Sequence, residues 1–569
     1  MSDPREAVAA APAHPSDAAP RSSDAAPLES ARPAEPAGAA KTVAAIDIGS
    51  NSVRMVIAEI APPDGRVRVL EQLQRPVRLG QDAFRAARLS ARTMRAATAI
   101  LRDFRRILDV YKVEKVRAVA TSAVREAANT DTFVDRVLIT TGLDVEVIDA
   151  TEESRLTVSA VRQVVGGALQ MGRRVALIVE VGGGGTLLTI LDKGEIAATQ
   201  SLRVGSVRLQ ELLPARHEPP DRVASWLQRE VASAVSQAEE VLPLRKVRLF
   251  LAVGGDARFA AAQVGKPLNG TEAAGRSAGL RRVGAADLAR LVKRCGRHSA
   301  EELAKAYGLP FAEAETLTPA LLVYQALLEA TRARDLIVTP VSMRDGLLLD
   351  LALQVTGRED QTLRESIIQS ALAVAEKYRV NLDHARAVAR LALGLFDELK
   401  GEHGLGGRER LLLHVAAVLH EAGAFVSSRA HHKHSYYLVA NAEVFGLTRE
   451  ELAVVGLVAR YHRRSCPKPS HAEYMALPRD LRMVTSKLAA LLRVADALDA
   501  GHTQQVGEIS CRRTEGEFRI AATGPTDLAL ERQAIGLKAD LFEDVYGMKV
   551  LLDGPAPPAM PAPQPDTLA

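Results

Sequence analysis

Val43-Ala-Ala-Ile-Asp-Ile-Gly-Ser-Asn-Ser52 and Leu177-Ile-Val-Glu-Val-Gly-Gly-Gly-Gly-Thr186 are two versions of one pattern, far apart in the chain. Each has a short apolar run, an acid, one apolar residue and a glycine-rich corner, and a second β-rich segment follows. A buried strand that enters a glycine turn and returns as another strand makes a hairpin whose backbone N–H groups point into the bend. Two such hairpins facing each other predict a clamp for phosphate oxygens, with Asp47 and Glu180 placed to hold a cation or a water.

The sequence around this repeat alternates strand-like and helical stretches, which indicates α/β structure. In the first half we predict a helix at Ala91–Tyr111 and strands at Ala44–Ile48, Arg54–Ile60, Arg66–Gln72, Val116–Ala120 and Asp144–Asp149. In the second half we predict a helix at Asp221–Val241 and strands at Ala176–Val181, Thr186–Leu191, Glu195–Ser201 and Arg248–Val253. A further helix is predicted at Thr318–Leu328, with Thr318 as its N-cap and Pro319 at its first position. The duplication predicts two lobes with a cleft between them.

The chain changes character near residue 360, where apolar residues recur at helical spacing. Strand-like pieces return near 506–522 and 547–552, around a helix at about 529–541. The predicted fold is therefore α/β: two lobes, then an all-α domain and a small α+β C-terminal cap. The predicted boundaries are a tail at 1–41, lobes at 42–170 and 171–357, the helical domain at 358–508, the cap at 509–553 and a tail at 554–569.

Composition narrows the class of protein further. The 569 residues are 47% hydrophobic but only 4% aromatic, so aliphatic and alanine packing must build the cores. A net charge of +4 is small for this length and does not indicate a DNA-binding protein. Three widely spaced cysteines fit a reducing cytoplasm, and no apolar run reaches the roughly 18 residues of a membrane span. We therefore expect a cytoplasmic protein without a membrane or DNA partner.

Specific motifs strengthen the phosphate interpretation. The duplicated unit resembles the actin-like (RNase H-like) ATPase superfold, and Ile46–Ile57 resembles the first motif of the Ppx/GppA family of exopolyphosphatases and guanosine pentaphosphatases. Four further segments agree with that family in the expected order: Val119-Ala-Thr-Ser-Ala-Val-Arg-Glu-Ala-Ala-Asn129, Asp149-Ala-Thr-Glu-Glu-Ser-Arg155, Leu202-Arg-Val-Gly-Ser-Val-Arg-Leu209 and Val341-Ser-Met-Arg-Asp-Gly-Leu-Leu348.

The resemblance implies a hydrolase that removes the terminal phosphate of inorganic polyphosphate or of guanosine polyphosphates such as pppGpp, as a homodimer with Mg²⁺ or Mn²⁺. It implies that Glu153 activates water, with Asp47 and Arg125 as further catalytic residues and Asp47 and Glu180 as metal ligands. The expected phosphate-binding residues are Gly49, Ser50, Asn51, Ser52, Gly182, Gly183, Gly184, Gly185, Gly254 and Gly255.

Taken singly, these residues have plainer interpretations. A glycine corner after a strand is often only a tight turn, and Asp47 alone would suit a turn cap. Arg125 alone would be a solvated cation, and Glu152 and Glu153 an exposed acidic pair. The order of the motifs, rather than any one of them, favours the catalytic interpretation.

The second glycine motif departs from the family pattern Asp-x-Gly-Gly-Gly-Ser-Thr-Glu. Glu180 replaces the aspartate, Gly185 the serine and Leu187 the glutamate. Leu187 removes a carboxylate, which weakens the holding of a divalent metal or the alignment of water. An alternative hypothesis is therefore a polyphosphate- or (p)ppGpp-binding sensor with weakened catalysis. A sugar or acetate kinase of the same superfold is less favoured, because the Glu-Glu-x-Arg and Ser-Ala-Val-Arg motifs belong to the hydrolases.

The helical domain carries a second candidate centre. His384, His420-Glu421 and Asp496 resemble the His…His-Asp…Asp pattern of HD-type metal phosphohydrolases, with Glu421 where aspartate is expected. The segments His431-His-Lys-His-Ser435 and Tyr461-His-Arg-Arg464 resemble the HD-like domain appended to exopolyphosphatases. Two interpretations stay open: an HD-type metal-dependent nucleotide phosphohydrolase, or a relic fold without metal whose histidines cap helices and contact a basic channel.

Overall fold

A computed structural model describes residues 40–165, 169, 171–213, 218–268, 279–358, 361–463, 465–523 and 527–553. The predicted tails lie outside these residues, except that Lys41 already begins the first strand. Arg464, the last residue of one quoted motif, also lies outside them. Among the described helices, none is long and apolar enough to cross a membrane.

The first lobe is built on a five-stranded sheet with the order β3-β2-β1-β4-β5. Neighbours β1, β2 and β3 are antiparallel, whereas β4 and β5 run parallel to β1. The strands are β1 Lys41–Ile48, β2 Ser52–Ala61, β3 Arg66–Pro76, β4 Lys115–Ala120 and β5 Val145–Val147. The helices of this part are α1 Leu79–Ala86, α2 Ala91–Val110, α3 Ser122–Arg125, α4 Thr130–Thr141 and α5 Ala150–Val165.

The second lobe repeats that strand order within a seven-stranded sheet, β10-β11-β12-β9-β6-β7-β8. Its strands β8-β7-β6-β9-β12 match β3-β2-β1-β4-β5 in order and direction, so the duplication read from the sequence extends to five strands of each sheet. The strands are β6 Ala176–Val181, β7 Thr186–Asp192, β8 Glu195–Leu202, β9 Leu249–Val253, β10 Lys266–Pro267, β11 Arg281–Gly284 and β12 Asp335–Val338. The helices are α6 Ser206–Glu211, α7 Pro220–Val241, α8 Gly255–Val264, α9 Ala285–Cys295, α10 Ala300–Tyr307, α11 Phe311–Glu329 and α12 Met343–Thr356, with 3₁₀ turns at Met171–Arg173 and Leu244–Lys246.

Two helices tie the lobes together. Leu347 and Leu351 of α12 pack in one apolar cluster with Val43 and Val56 of the first lobe. Val161 and other residues near the end of α5 pack instead in a cluster with strands of the second sheet. Helix α5 therefore begins under the first sheet, where Leu156 packs, and ends under the second.

The helix around Pro319 differs from the prediction. Helix α11 begins eight residues before Pro319, directly after Pro310, so Thr318 is not its N-cap. An interior proline gives up one backbone hydrogen bond, which is why the sequence suggests a helix start there. The packing of Ala314 and Leu317 in the core of the second lobe outweighs that local cost.

The C-terminal part consists of helices followed by a three-stranded sheet with the order β13-β14-β15. Its helices are α13 Gln361–Lys377, α14 Leu382–Glu398, α15 Lys400–His403, α16 Gly407–Leu419, α17 His431–Ala440, α18 Arg449–Arg460, α19 Ala472–Met475 and α20 Arg479–Ala497, with a 3₁₀ turn at Ala422–Phe425. The cap contains β13 Ile509–Thr514, β14 Glu517–Ala522, α21 Ala529–Lys538, α22 Asp540–Tyr546 and β15 Lys549–Leu552. Cap residues such as Phe518 and Phe542 share one core with the helices.

Candidate active site

The two glycine-rich turns are built alike. In the first, the Gly49 N–H donates to the Ser52 carbonyl at 3.1 Å, and in the second the Gly182 N–H donates to the Gly185 carbonyl at 2.9 Å. Each donor lies two residues after the acid of its motif. The strand register is also equivalent, because Asp47 pairs with Arg54 as Glu180 pairs with Leu187. The acid and its cross-strand partner therefore point to the same face in both hairpins.

The tips of the two turns touch each other. A Cβ atom on Gly183 would lie 2.7 Å from the Ser50 Cβ, and one on Gly184 would lie 2.4 Å from the Ser122 Oγ. Only glycine allows this approach without a shift of the neighbouring chain. The two serines that these glycines approach also contact each other, with the Ser50 and Ser122 hydroxyl oxygens 3.2 Å apart. The second turn thus lies directly against the first lobe.

Backbone N–H groups at the N-termini of two helices donate hydrogen bonds to carbonyl groups of the turns. The Ser50 carbonyl accepts from the Gly80 N–H at 2.8 Å, and the Gly183 carbonyl accepts from the N–H groups of Val207 and Arg208. Five backbone N–H groups of the turns make no hydrogen bond to any described residue. They belong to Ser50, Asn51, Gly183, Gly184 and Gly185. A set of unpaired backbone donors lining a concave surface is a binding site for an anion.

Glu153 lies in the first turn of α5, next to this set of donors. The Asp149 carboxylate caps that turn by accepting from the Glu152 N–H at 2.9 Å. Burial raises the pKa of the Glu153 carboxyl to about 7, because the nearby Arg125 offsets the cost only in part and Glu180 and Asp47 add to it. Arg125 donates to Glu153 at 2.6 Å and to the Ile148 carbonyl. A carboxylate with a pKa near neutrality is suited to accept a proton from water.

Asp47 is held by two arginines that the sequence did not connect to it. Its Oδ2 lies 3.3 Å from Arg344 Nη1 and 3.7 Å from Arg54 Nη1. Arg344 belongs to the last of the quoted motifs and Arg54 to the first, but their meeting at Asp47 depends on the crossing of α12 onto the first lobe. The first hairpin therefore joins an acid with two cations.

Among the described residues, Glu180 has no cation within ion-pair distance. Its Oε2 accepts from the Thr157 hydroxyl at 2.5 Å. Burial raises the pKa of the Glu180 carboxyl, and the charge of Asp47 raises it further. Leu187, the cross-strand partner of Glu180, lines the same cleft with an apolar side chain. The acid of the second hairpin therefore has fewer charged side chains around it than the acid of the first.

A single cavity of about 380 Å³ brings the sequence-predicted residues together. All of the predicted catalytic and phosphate-binding residues line it: Asp47, Gly49, Ser50, Asn51, Ser52, Arg125, Glu153, Glu180, Gly182, Gly183, Gly184, Gly185, Gly254 and Gly255. Its volume falls within the roughly 300–1,000 Å³ typical of small-molecule sites. Sequence reasoning missed seven charged residues that also line it: Arg54, Glu126, Arg203, Asp256, Arg258, Glu313 and Arg344.

Three of the carboxylates that line the cavity suit a hard divalent cation. Asp47 Oδ1, Glu153 Oε2 and Glu180 Oε1 have no hydrogen-bond or ion-pair partner among the described residues. Magnesium and manganese favour such oxygen donors. A cation between Asp47 and Glu180 would also relieve the mutual repulsion that raises the Glu180 pKa. The residues present therefore fit the predicted metal, with fewer carboxylates than the family pattern because of Leu187.

The second candidate centre lies in the helical domain. Ligand atoms of His384, His420 and Glu421 all lie within 4.8 Å of one another. Asp496 adds a carboxylate whose Oδ1 lies 3.6 Å from His384 Nε2 and 3.8 Å from His420 Nε2. Lys538 of the cap contacts the other oxygen of Asp496 at 2.6 Å. The four residues predicted from the sequence are thus gathered at one buried point.

Hydrogen bonds at the Nδ1 atoms orient two histidine rings of this centre. His384 Nδ1 lies 2.7 Å from Asp499 Oδ2, and His420 Nδ1 lies 2.8 Å from the Ala417 carbonyl. Each contact uses the Nδ1–H as donor, which leaves Nε2 with a lone pair. Both Nε2 atoms are buried and have no hydrogen-bond partner among the described residues. Nearby, His431 Nε2 and His462 Nε2 lie 3.1 Å apart.

Comparison with known families agrees with this geometry. Residues 56–355 match the model of the Ppx/GppA phosphatase family, and residues 365–533 match that of Ppx/GppA phosphatase domain III. The chain belongs to the Ppx/GppA phosphatase family. Family members are phosphatases that hydrolyse phosphoanhydride bonds and generally depend on a divalent metal, so the predicted enzyme class is confirmed.

Named relatives of this family member differ in substrate. The chain is 24% identical over 453 residues to the guanosine-5'-triphosphate,3'-diphosphate pyrophosphatase of Photobacterium profundum, a match that covers 79% of this chain and 84% of the relative. An exopolyphosphatase crystal structure from Cytophaga hutchinsonii is 23% identical, with a TM-score of 0.48, over 56% of this chain and 99% of that one. The Ppx/GppA family member of Aquifex aeolicus is 25% identical, with a TM-score of 0.43 and the same coverage.

Proposed function

We propose that this protein hydrolyses the terminal phosphoanhydride bond of inorganic polyphosphate or of a guanosine polyphosphate in the cleft between its lobes. The observation that carries the proposal is the set of unpaired N–H groups on two touching turns beside Glu153. Phosphoryl transfer needs donors for the phosphate oxygens, balancing positive charge and a base for the attacking water. Each of these lines the same cavity.

In the proposed mechanism, the free N–H groups of Ser50, Asn51, Gly183 and Gly184 hold the terminal phosphate between the turns. Glu153 takes the proton of a water that attacks this phosphate, the bond from its phosphorus to the bridging oxygen breaks, and the shortened phosphate chain leaves with that oxygen as an anion. Arg125 keeps the Glu153 carboxylate in position through its 2.6 Å contact. Arg344 and Arg54 hold Asp47 in place. When bound to Asp47 and Glu180, Mg²⁺ or Mn²⁺ would neutralise charge on the phosphate oxygens.

The direct test is phosphate release from long-chain polyphosphate and from guanosine pentaphosphate in the presence of Mg²⁺. Release from at least one substrate, well above the rate without enzyme, is the expected result. Calorimetry on the same samples separates hydrolysis from the sensor alternative. Tight binding of either compound without release of phosphate would contradict the proposal and favour the sensor.

The activity should depend on pH through Glu153. Its carboxyl has a pKa raised to about 7, so it is protonated below that pH and then cannot accept a proton from water. We expect kcat/KM to be level above pH 8 and to fall about tenfold per pH unit below about 7. A profile that stays level down to pH 5 would show that another group is the base.

The departure at Leu187 can be reversed. Because Leu187 faces the same side of the hairpin as Glu180, Leu187→Glu should place a second carboxylate across from it. We expect the Mg²⁺ concentration for half-maximal activity to fall about tenfold, with a matching gain in Mg²⁺ affinity measured by calorimetry. Leu187→Gln is the matched control, since it adds the same length without charge. Equal behaviour of the Glu and Gln variants would contradict the metal assignment.

A second candidate function is favoured by the buried centre of the helical domain. We infer that His384, His420, Glu421 and Asp496 bind a divalent transition metal, as an HD-type phosphohydrolase would. Two buried Nε2 atoms face a carboxylate oxygen, and in neutral rings their lone pairs would repel it unless a metal cation or a proton lay between them. Metal-binding histidines commonly donate their other N–H to a carboxylate or carbonyl, as these two do.

Metal analysis of the full-length protein tests this candidate. We expect about one equivalent of a transition metal in the purified protein and in Glu180→Gln, which alters only the cleft. His420→Ala should lose it, whereas His298→Ala, a change at an exposed histidine of the second lobe, should retain it. A metal-free wild-type protein after growth and dialysis with manganese, iron or zinc would leave only the relic interpretation.

A further inference from the structure

Arg208 is a buried cation to which the proposed mechanism gives no role. It belongs to α6, and only 9% of its side chain is exposed. Its Nε donates to the Gly184 carbonyl at 2.6 Å, and its Nη2 lies 2.6 and 2.7 Å from the two carboxylate oxygens of Glu126. Its guanidinium carbon also lies 4.2 Å from the ring centroid of Phe84. One side chain thus contacts the second glycine turn and two residues of the first lobe.

Glu126 connects this contact to the catalytic side of the cleft. It directly follows Arg125, which contacts Glu153 at 2.6 Å. Its Oε2 also accepts from Arg203 at 3.2 Å, and both Glu126 and Arg203 line the cavity. Arg208 therefore joins the second turn to the segment that holds the proposed base.

The Gly184 carbonyl differs from the other turn carbonyls in how it is held. Backbone N–H groups donate to the carbonyls of Ser50 and Gly183, but within the described part of the chain none donates to the Gly184 carbonyl. Its donor is the Arg208 side chain. A hydrogen bond from an ionised group is roughly twice as strong as one between neutral groups. The orientation of this peptide group therefore depends on a side chain that can be substituted.

The same peptide group carries the Gly185 N–H. The bond between Gly184 and Gly185 is trans, so its N–H and C=O groups point in opposite directions. With the carbonyl directed at Arg208, the N–H is directed away from Arg208, and it makes no hydrogen bond to any described residue. Gly205 packs against this bond, because a Cβ there would lie 2.3 Å from the Gly185 nitrogen and 2.4 Å from the Gly184 carbonyl carbon. Arg208 and Gly205 thus fix the direction of an unpaired donor at a residue that lines the cavity.

The contacts of Arg208 use the shape of its guanidinium as well as its charge. The planar group presents several N–H donors in a rigid fork, so Nε and Nη2 reach Gly184 and Glu126 at the same time. A lysine carries the same charge at a single point on a flexible stem. Charge and geometry can therefore be separated by Arg208→Lys.

We propose that Arg208 positions the Gly185 N–H as a further donor to the terminal phosphate, by tying the Gly184 carbonyl to Glu126 of the first lobe. This inference rests on the proposed function and extends it, because it assigns both a positioning residue and an additional phosphate donor. Arg208 acts through the turn and does not itself contact the substrate. Without its fork the peptide group can rotate, and the donor is then lost from the clamp.

Calorimetry with inorganic tripolyphosphate tests the proposal. Titrations of the full-length protein with Mg²⁺ in the Glu153→Gln background prevent turnover from disturbing the heats. Arg208→Lys and Arg208→Gln should each weaken binding about tenfold, the size of one lost hydrogen bond to a charged group. The loss in Arg208→Lys should stay the same between about 0.1 M and 0.5 M NaCl, because this variant retains the charge and salt screens charge.

Glu126→Gln separates positioning from simple attraction between the Arg208 charge and the polyanion. Removal of the Glu126 charge would strengthen such an attraction and tighten binding. The positioning role predicts the opposite sign, a loss of about threefold to tenfold, because a neutral amide holds the guanidinium less firmly. The Glu126 side chain is 32% exposed, so this variant keeps the test available if the buried Arg208 variants do not fold.

Arg106→Lys, an exposed change on α2, is the matched control and should bind tripolyphosphate as the parent protein does. Thermal unfolding of each variant without ligand verifies that it is folded.

Two outcomes would overturn the proposal: unchanged binding in Arg208→Lys, or tighter binding in Glu126→Gln. Because affinity is measured without turnover, a wild-type protein that binds tripolyphosphate but releases no phosphate would contradict the proposed hydrolysis and leave this test readable.

Discussion

Replacing Glu153 by glutamine should lower the rate of phosphate release by about 100- to 10,000-fold, the usual contribution of a general base. Glutamine preserves the size of the side chain and an oxygen for Arg125, but it cannot take a proton from water. Substrate affinity should change little, because the phosphate is held by backbone N–H groups rather than by this carboxylate. Single-turnover phosphate release and calorimetry on the same preparation measure the two quantities.

Glu114→Gln is the matched control for this variant, since Glu114 is exposed and lies outside the cleft. It should retain the wild-type rate. If Glu153→Gln kept more than about a tenth of that rate, the proton of the attacking water would have to go to another group. The remaining candidates would be the other cleft carboxylates, Asp47, Glu180 and Asp256.

The second large effect is expected from a single methyl group at the contact between the turns. In Gly183→Ala the new Cβ would lie 2.7 Å from the Ser50 Cβ and 3.1 Å from Val207 Cγ2, so the two turns must move apart. A displacement of about an ångström in a phosphate-binding site costs on the order of a hundredfold in rate. Gly183 has no positive φ, so the loss would come from the steric contact alone.

Gly536→Ala is the matched control, because a Cβ there meets nothing within 4 Å and the residue lies in helix α21 of the cap. It should leave phosphate release unchanged. Full activity in Gly183→Ala would mean that the turns are free to separate during the reaction, and the clamp would then have no catalytic importance. Thermal unfolding of both variants distinguishes a local defect from a loss of the fold.

The repeated motif made much of this architecture predictable. An acid at a fixed distance from a glycine corner appears twice, and both copies form the same hairpin with the same closing hydrogen bond. Gly183 and Ser50 could therefore be assigned to facing turns before their contact was known. The assignment of Glu153 as the base followed from the order of motifs and remains a proposal, since nothing local in Glu152-Glu153 separates it from Glu152, which lies in an arginine network.

Other features depend on long-range packing and have no local sequence signal. Asp47 meets Arg344 only because α12 packs on the sheet of the first lobe. Helix α11 continues through Pro319 because its apolar face is buried in the second lobe. Asp256 could have been suspected as the residue after Gly254-Gly255, but that it lines the cleft is visible only when the surrounding side chains are placed.

The departure at Gly185 has a structural reason. A Cβ atom at this position would lie 2.8 Å from the Leu202 carbonyl oxygen, so the serine of the family pattern would require the backbone of β8 to move. Here the glycine reflects a closer approach of β8 to the turn. The change removes a hydroxyl donor, while the Gly185 N–H makes no hydrogen bond to any described residue.

A crystal structure with Mg²⁺ and a non-hydrolysable imido-triphosphate tests the central claim most directly. The account predicts the terminal phosphate between the two turns, within about 3 Å of the N–H groups of Asn51 and Gly184, with Glu153 facing a water on its far side. A phosphate bound elsewhere, or a cleft that stays empty at saturating ligand with Glu153 turned away, would contradict it.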